Sequence, residues 1–70
     1  MPDWTSTRAS LVLAALLRIG WVLVRQRGSH RRLQHPERGL YTFAFHDRDE
    51  IGPRMLARIA KATGLQPEDL

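Results

Sequence analysis

The five glycines of this 70-residue chain fix how its backbone divides, because the hydrophobic pattern changes at each of them. Thr5, Ser6 and Thr7 offer N-cap hydroxyls ahead of a stretch in which Val12, Leu13, Leu16 and Gly20 share one face. That spacing predicts a helix over about residues 6–19. Gly20 can take a positive φ without a Cβ penalty, so it closes the helix and turns the chain into the next element. Trp21–Arg27 (WVLVRQR) is rich in β-branched and aromatic side chains and predicts a first strand, and Gly28-Ser29 supplies the turn into a second, His30–His35 (HRRLQH). Pro36-Glu37-Arg38-Gly39 is a hairpin turn leading to a third strand, Leu40–His46. There Tyr41, Phe43 and Phe45 alternate with Thr42 and Ala44, which places the aromatics on one face. Asp47–Glu50 (DRDE) reads as a charged loop. Gly52-Pro53 opens a second helix with Pro at its first position, and Thr63-Gly64 closes it. Met55, Leu56 and Ile59 form its apolar stripe, and the tail Gln66–Leu70 is expected to be loosely held.

Helix, three strands and helix, joined by hairpin-length connections, predict one antiparallel sheet carrying both helices on its apolar face. The fold class is therefore α+β, a single two-layer domain over residues 1–70 with its core at about 8–65. A chain of this size buries only roughly 60% of its unfolded surface, so the core is small. With no cysteine, disulfides and the commonest zinc ligand sets are excluded, which leaves a protein partner as the remaining support for a mini-domain. The absence of cysteine fits a reducing cytosol, and a cytoplasmic location is expected. Leu11–Leu17 is the longest apolar run, far short of the ~20 residues that span a bilayer, and no Ala-x-Ala-like cleavage site follows it. No membrane association is expected.

Eleven cations against seven acids give a net charge of +4, and ten of the eleven are arginine. Guanidinium grips phosphate in a bidentate fork where ammonium offers a point charge. Arg25, Arg27, Arg31 and Arg32 fall within a stretch containing no acid, which points to a polyanion partner, with a solvated surface as the plain alternative. On the second helix Arg54, Arg58 and Lys61 stand at i, i+4, i+7, a cationic ridge suited to RNA phosphates or to the acidic surface of a protein partner. Its plain alternative is also solvated surface. Leu11 and Ala14 fall away from the Val12-Leu13-Leu16 stripe of the first helix, and an exposed Leu11 with Leu17 at the boundary marks a surface for a second copy or another partner, or simply a poorly soluble face.

Imidazole is the side chain best suited to proton transfer near neutral pH, and His30, His35 and His46 are the three present. His30 stands out because Gly28-Ser29 precede it and four arginines lie close on both sides. A histidine at a rigid strand start, beside a glycine that lets a ligand approach, suits phosphodiester chemistry, with the cations stabilising charge on the transition state. A lone surface histidine is the plain alternative. His46 could assist or orient His30, or merely cap a loop, and His35 before Pro36 reads as structural. No HxH or HxxxH spacing occurs, so neither a metal nor another cofactor is expected. Trp21, Phe43 and Phe45 could stack on bases, but their placement favours the core. Trp4 lies outside the core pattern.

The stretch from Gly20 to His30 (GWVLVRQRGSH) resembles the signature of the HicA, or YcfA-like, toxin family, in which a helix ends at Gly, an aromatic begins strand one and Gly-Ser-His opens strand two. His35-Pro36, Phe43-Ala44-Phe45-His46 and Ile51–Leu65 continue the likeness in order, so it covers about residues 8–65. The resemblance implies the α-β-β-β-α arrangement of double-stranded-RNA-binding domains. It also implies a ribonuclease that cuts messenger RNA with His30 as the catalytic residue, neutralised by a HicB-type antitoxin. Gly28, Ser29, Arg25, Arg27, Arg31 and Arg32 would then hold RNA, and Arg54, Arg58, Lys61 and Leu11 are candidates for the antitoxin or homodimer surface. The chain departs from the family pattern at Arg31, where many members carry a second His, at Arg54-Met55-Leu56, where Gly-Thr-Leu is usual, and in the greasiness of its first helix.

Overall fold

A computed structural model describes residues 3–70. In chain order the elements are β1 (Thr7–Arg8), α1 (Ala9–Arg18), β2 (Val22–Arg27), β3 (His30–His35), β4 (Gly39–Ala44), β5 (Glu50–Ile51), α2 (Pro53–Thr63) and a single 3-10 turn, Pro67–Asp69. The helix–three-stranded antiparallel sheet–helix order is the α+β arrangement expected, consistent with the double-stranded-RNA-binding-domain-like fold. The sheet runs β2-β3-β4, and a second ladder that the sequence did not announce pairs β1 with β5.

That small ladder explains why α1 starts later than its hydroxyls suggested. Thr7 and Arg8 pair with Ile51 and Glu50, and the Thr7 hydroxyl donates to the Thr5 carbonyl rather than capping the helix. The first turn is satisfied instead by the charged loop: the N–H groups of Ala9 and Ser10 donate to the carbonyls of Asp49 (2.8 Å) and Asp47 (3.1 Å). At the other end Trp21 N–H donates to Leu16 O and Gly20 N–H to Leu17 O, a Schellman closure with Gly20 at φ 109°. A Cβ at Gly20 would stand 2.9 Å from His35 Nε2, so the position also needs glycine for space. The stop signal is thus met twice over.

Both helices and the inner face of the sheet share one core. Val12, Ala15 and Leu16 of α1 meet Leu33 of β3, Phe43 of β4, and Leu56 and Ile59 of α2, with Trp21, Ile51 and Leu65 filling the margins. Trp21 is buried and its indole N–H donates to the Thr63 carbonyl at 3.1 Å, tying the entrance of the sheet to the end of α2. Trp4, unassigned from the sequence, packs half-buried against the same core. On α2 the buried stripe runs Leu56, Ile59 and Thr63, which leaves Met55 at its exposed margin rather than within it. The tail, expected to be loosely held, forms the 3-10 turn with a capping box between Gln66 and Asp69. Arg18 donates to its Asp69 carbonyl at 2.7 Å.

Candidate functional site

The phase of the sheet is set by Leu33. It is wholly buried at the centre of β3, so period-two alternation turns Arg31 and His35 inward with it and His30, Arg32 and Gln34 outward. β4 follows suit, with Tyr41 and Phe43 inward and Leu40, Thr42 and Ala44 outward. β2 would fall out of step without its irregularity. Pairing passes from Leu23↔Leu33 to Arg25↔Arg32, a bulge that leaves Val24 as the extra residue. After an extra residue the alternation changes phase, so Arg25 and Arg27 reach the outer face; a regular strand of this sequence would have sent both inward.

Cross-strand register then arranges the outer face in three rows: Val22–Gln34–Leu40, Arg25–Arg32–Thr42 and Arg27–His30–Ala44. The second and third rows enclose a shallow depression of about 200 Å³ lined by Arg25, Arg27, His30, Arg32 and Thr42. Gly28 and Ser29 form the two-residue turn at its rim. Gly28 adopts φ 59° in the first central position, as tight hairpins with glycine leading require, and open space surrounds its α-carbon. Arg25 and Arg32 face each other directly, an arrangement that ordinarily destabilises a ladder. Among the described residues the only ion pair joins Arg31 to Asp47, so no carboxylate relieves the three outward arginines. The depression is a cationic site with an imidazole at its edge, suited to an anion with oxygens to share between several guanidinium groups.

Four of the residues singled out in the sequence, Arg25, Arg27, His30 and Arg32, therefore gather here with Gly28 and Ser29 at the rim, and Arg31 does not. Arg31 lies on the inner face, donates to Asp47 Oδ1 at 2.8 Å and points a second N–H toward the Phe45 carbonyl. Thr42 was missed, though its place between Tyr41 and Phe43 in an alternating strand was the signal that put it outside. His35 is structural: its Nδ1 accepts the Glu37 N–H, its Nε2 lies 3.3 Å from the Ile19 carbonyl, and its ring rests 5.2 Å from that of Trp21. For His46, the backbone N–H donates to Asp49 Oδ2 at 2.9 Å, and no hydrogen bond joins its ring to His30 among the described residues. Also among these residues, no three His, Cys, Asp or Glu side chains converge as a metal site would require.

The remaining candidates lie elsewhere. Arg54, Arg58 and Lys61 are exposed on the side of α2 opposite Leu56 and Ile59, in the helical layer and away from the depression. Leu11 is exposed on α1 and borders a separate groove of about 370 Å³ with Trp4, Arg18, Pro67 and Leu70. Burial raises the Tyr41 phenol above its ordinary value by desolvation. No helix among the described residues is long and apolar enough to cross a membrane.

Comparison with known proteins gives one family. The family model described as the HicA toxin of bacterial toxin–antitoxin systems matches residues 9–65, from the first residue of α1 to the buried Leu65 behind α2. No curated protein matches the sequence closely enough to count as a relative.

Proposed function

This chain belongs to the HicA toxin family of bacterial toxin–antitoxin systems, and on that premise we propose that it is a ribonuclease that cuts messenger RNA at the depression beside His30. The observation that carries the reading is the unrelieved cross-strand pair Arg25–Arg32, with Arg27 and His30 in the adjoining row. Such a cluster gains stability when a phosphodiester supplies the missing negative charge.

In the proposed reaction His30 accepts the proton of a ribose 2′-OH as the 2′-oxygen attacks the adjacent phosphorus. A bond from O2′ to phosphorus forms and the bond to O5′ breaks. The protonated imidazole or a water returns a proton to the departing O5′, leaving a 2′,3′-cyclic phosphate and a 5′-hydroxyl. Arg25, Arg27 and Arg32 stabilise the extra charge on the phosphoryl oxygens in the transition state. The mechanism calls on no metal. Because the 2′-OH is the nucleophile, DNA is not a substrate.

Cleavage of a single-stranded transcript in EDTA, with wild type beside His30→Ala, tests this. Wild type is expected to yield cyclic-phosphate ends and the variant to lose at least about a hundredfold in rate, the low end for a general base. Folded wild type that binds RNA without cutting it would instead make the chain a non-catalytic RNA-binding module of the same fold.

A further inference from the structure

β2 is an edge strand. β3 flanks one side, and among the described residues no backbone hydrogen bond is made on the other. All six of its residues are exposed. The half nearest α1 carries three consecutive large apolar side chains, Val22 (57% exposed), Leu23 (42%) and Val24 (51%), and Leu40 (58%) stands in the same outer row as Val22. Val24, Val22, Gln34 and Pro36 together line a shallow apolar hollow. The other half carries Arg25 and Arg27. Proteins blunt open edges with charge, bulges or proline, because unpaired N–H and C=O groups beside apolar side chains are a template for another strand. Here the charge guards only one end, and the bulge puts the change from apolar to cationic within a single step, between Val24 and Arg25.

We propose that the antitoxin adds an extended segment to this edge, setting apolar side chains against Val22 and Val24 and carboxylates against Arg25 and Arg27. The antitoxin follows from the family; the docking edge and the chemistry of the segment follow from the strand. The inference rests on family membership and is independent of RNA cleavage. A peptide strand fits the edge because main-chain hydrogen bonds supply affinity and alternate side chains supply specificity. RNA fits this half poorly: the Val22–Gln34–Leu40 row holds no cation for phosphate and no aromatic ring on which a base could stack. A second copy fits less well than an acidic partner, since it would bring its own unrelieved arginines to the same surface.

The test titrates an isotope-labelled His30→Ala chain, which cannot cleave if His30 is the base, with a short synthetic peptide whose first half alternates Val and Thr and whose second half alternates Glu and Thr. A peptide with Gln in place of Glu is the control, and NMR shifts and amide exchange are read. Saturable shifts confined to β2 and the adjoining β3, slowed exchange across residues 22–25, and binding about tenfold tighter for the Glu peptide are expected, a difference worth about 1.4 kcal/mol. Val24→Lys, at an exposed position, should weaken binding about tenfold while Val22→Thr weakens it less. Absence of saturation, equal binding by the Gln peptide, or shifts centred on the Leu11 groove overturn the proposal. Slowed β2 exchange in the free chain together with a doubled mass gives the edge to a second copy. Larger shifts at Val22 and Val24 than at Arg25 and Arg32 with single-stranded RNA give it to RNA.

Discussion

Gly20 concentrates more constraint than any other residue of the chain. It ends α1, starts the sheet and leaves room for the His35 ring, which in turn lies against Trp21. Gly20→Ala must hold a methyl group at φ 109° and within 2.9 Å of His35 Nε2. A loss of about 1–3 kcal/mol is expected, read as a lower urea midpoint at unchanged slope. Tyr41 gives a prediction of opposite character. Its phenol is held above the ordinary value near 10 by burial. Below that ordinary value both folded and unfolded chains keep the proton, and Tyr41 adds no pH dependence. As pH rises from there toward the raised folded value, the unfolded chain releases its proton first, and stability falls. Tyr41→Phe should flatten that alkaline decline in thermal unfolding. The chain has one tyrosine, so phenolate absorbance reports this group alone.

Elements were legible wherever local pattern decided them. Gly20 and Gly64, the two turns and the alternation Tyr41-Thr42-Phe43 delimit α1, the three-stranded sheet and α2 to within a few residues of where they lie. Three features were not legible, because distant partners decide them. The β1–β5 ladder joins two-residue segments 42–44 residues apart along the chain (Arg8 to Glu50 and Thr7 to Ile51), too short to show an apolar period that would betray it. The start of α1 depends on carbonyls of Asp47 and Asp49 rather than on the hydroxyls beside it. Arg31 sits among arginines in the sequence, yet the burial of Leu33 sends it to the other face. Asp49 ties two of these together: its side chain takes the His46 N–H and its carbonyl takes that of Ala9. Asp49→Ala frees the His46 donor and loosens the loop that caps α1. A loss of about 1 kcal/mol is expected, which for a domain of this length lowers Tm by about 4–8 °C. Strand length is an element-scale property too. Deleting Val24 would iron out the bulge and still leave Arg25 opposite Arg32, whereas deleting a residue between His30 and Leu33 would turn His30 toward the helices.

For the whole molecule, the division of charge between layers decides what salt does. If Arg25, Arg27 and Arg32 each neutralise a phosphate of single-stranded RNA, the logarithm of the binding constant should fall against the logarithm of salt with slope about −2, at about −0.7 per contact. Arg25→Gln or Arg32→Gln should reduce that slope by about 0.7. Arg31→Gln should leave it unchanged, because Arg31 is engaged with Asp47 on the inner face. The ridge Arg54, Arg58 and Lys61 belongs to the opposite layer of a molecule that measures 30 × 27 × 17 Å. Even the thinnest of these dimensions is about twice the Debye length of roughly 8 Å at physiological ionic strength, and well inside the roughly 30 Å reached in dilute buffer. The ridge can therefore speed the arrival of a polyanion at the sheet only in dilute buffer, and it has no hold on the departure rate once the polyanion is seated. Replacing its three cations should alter association kinetics at low ionic strength and leave residence time alone, so that at cellular salt the two positive faces act as separate surfaces, each free to meet a different molecule.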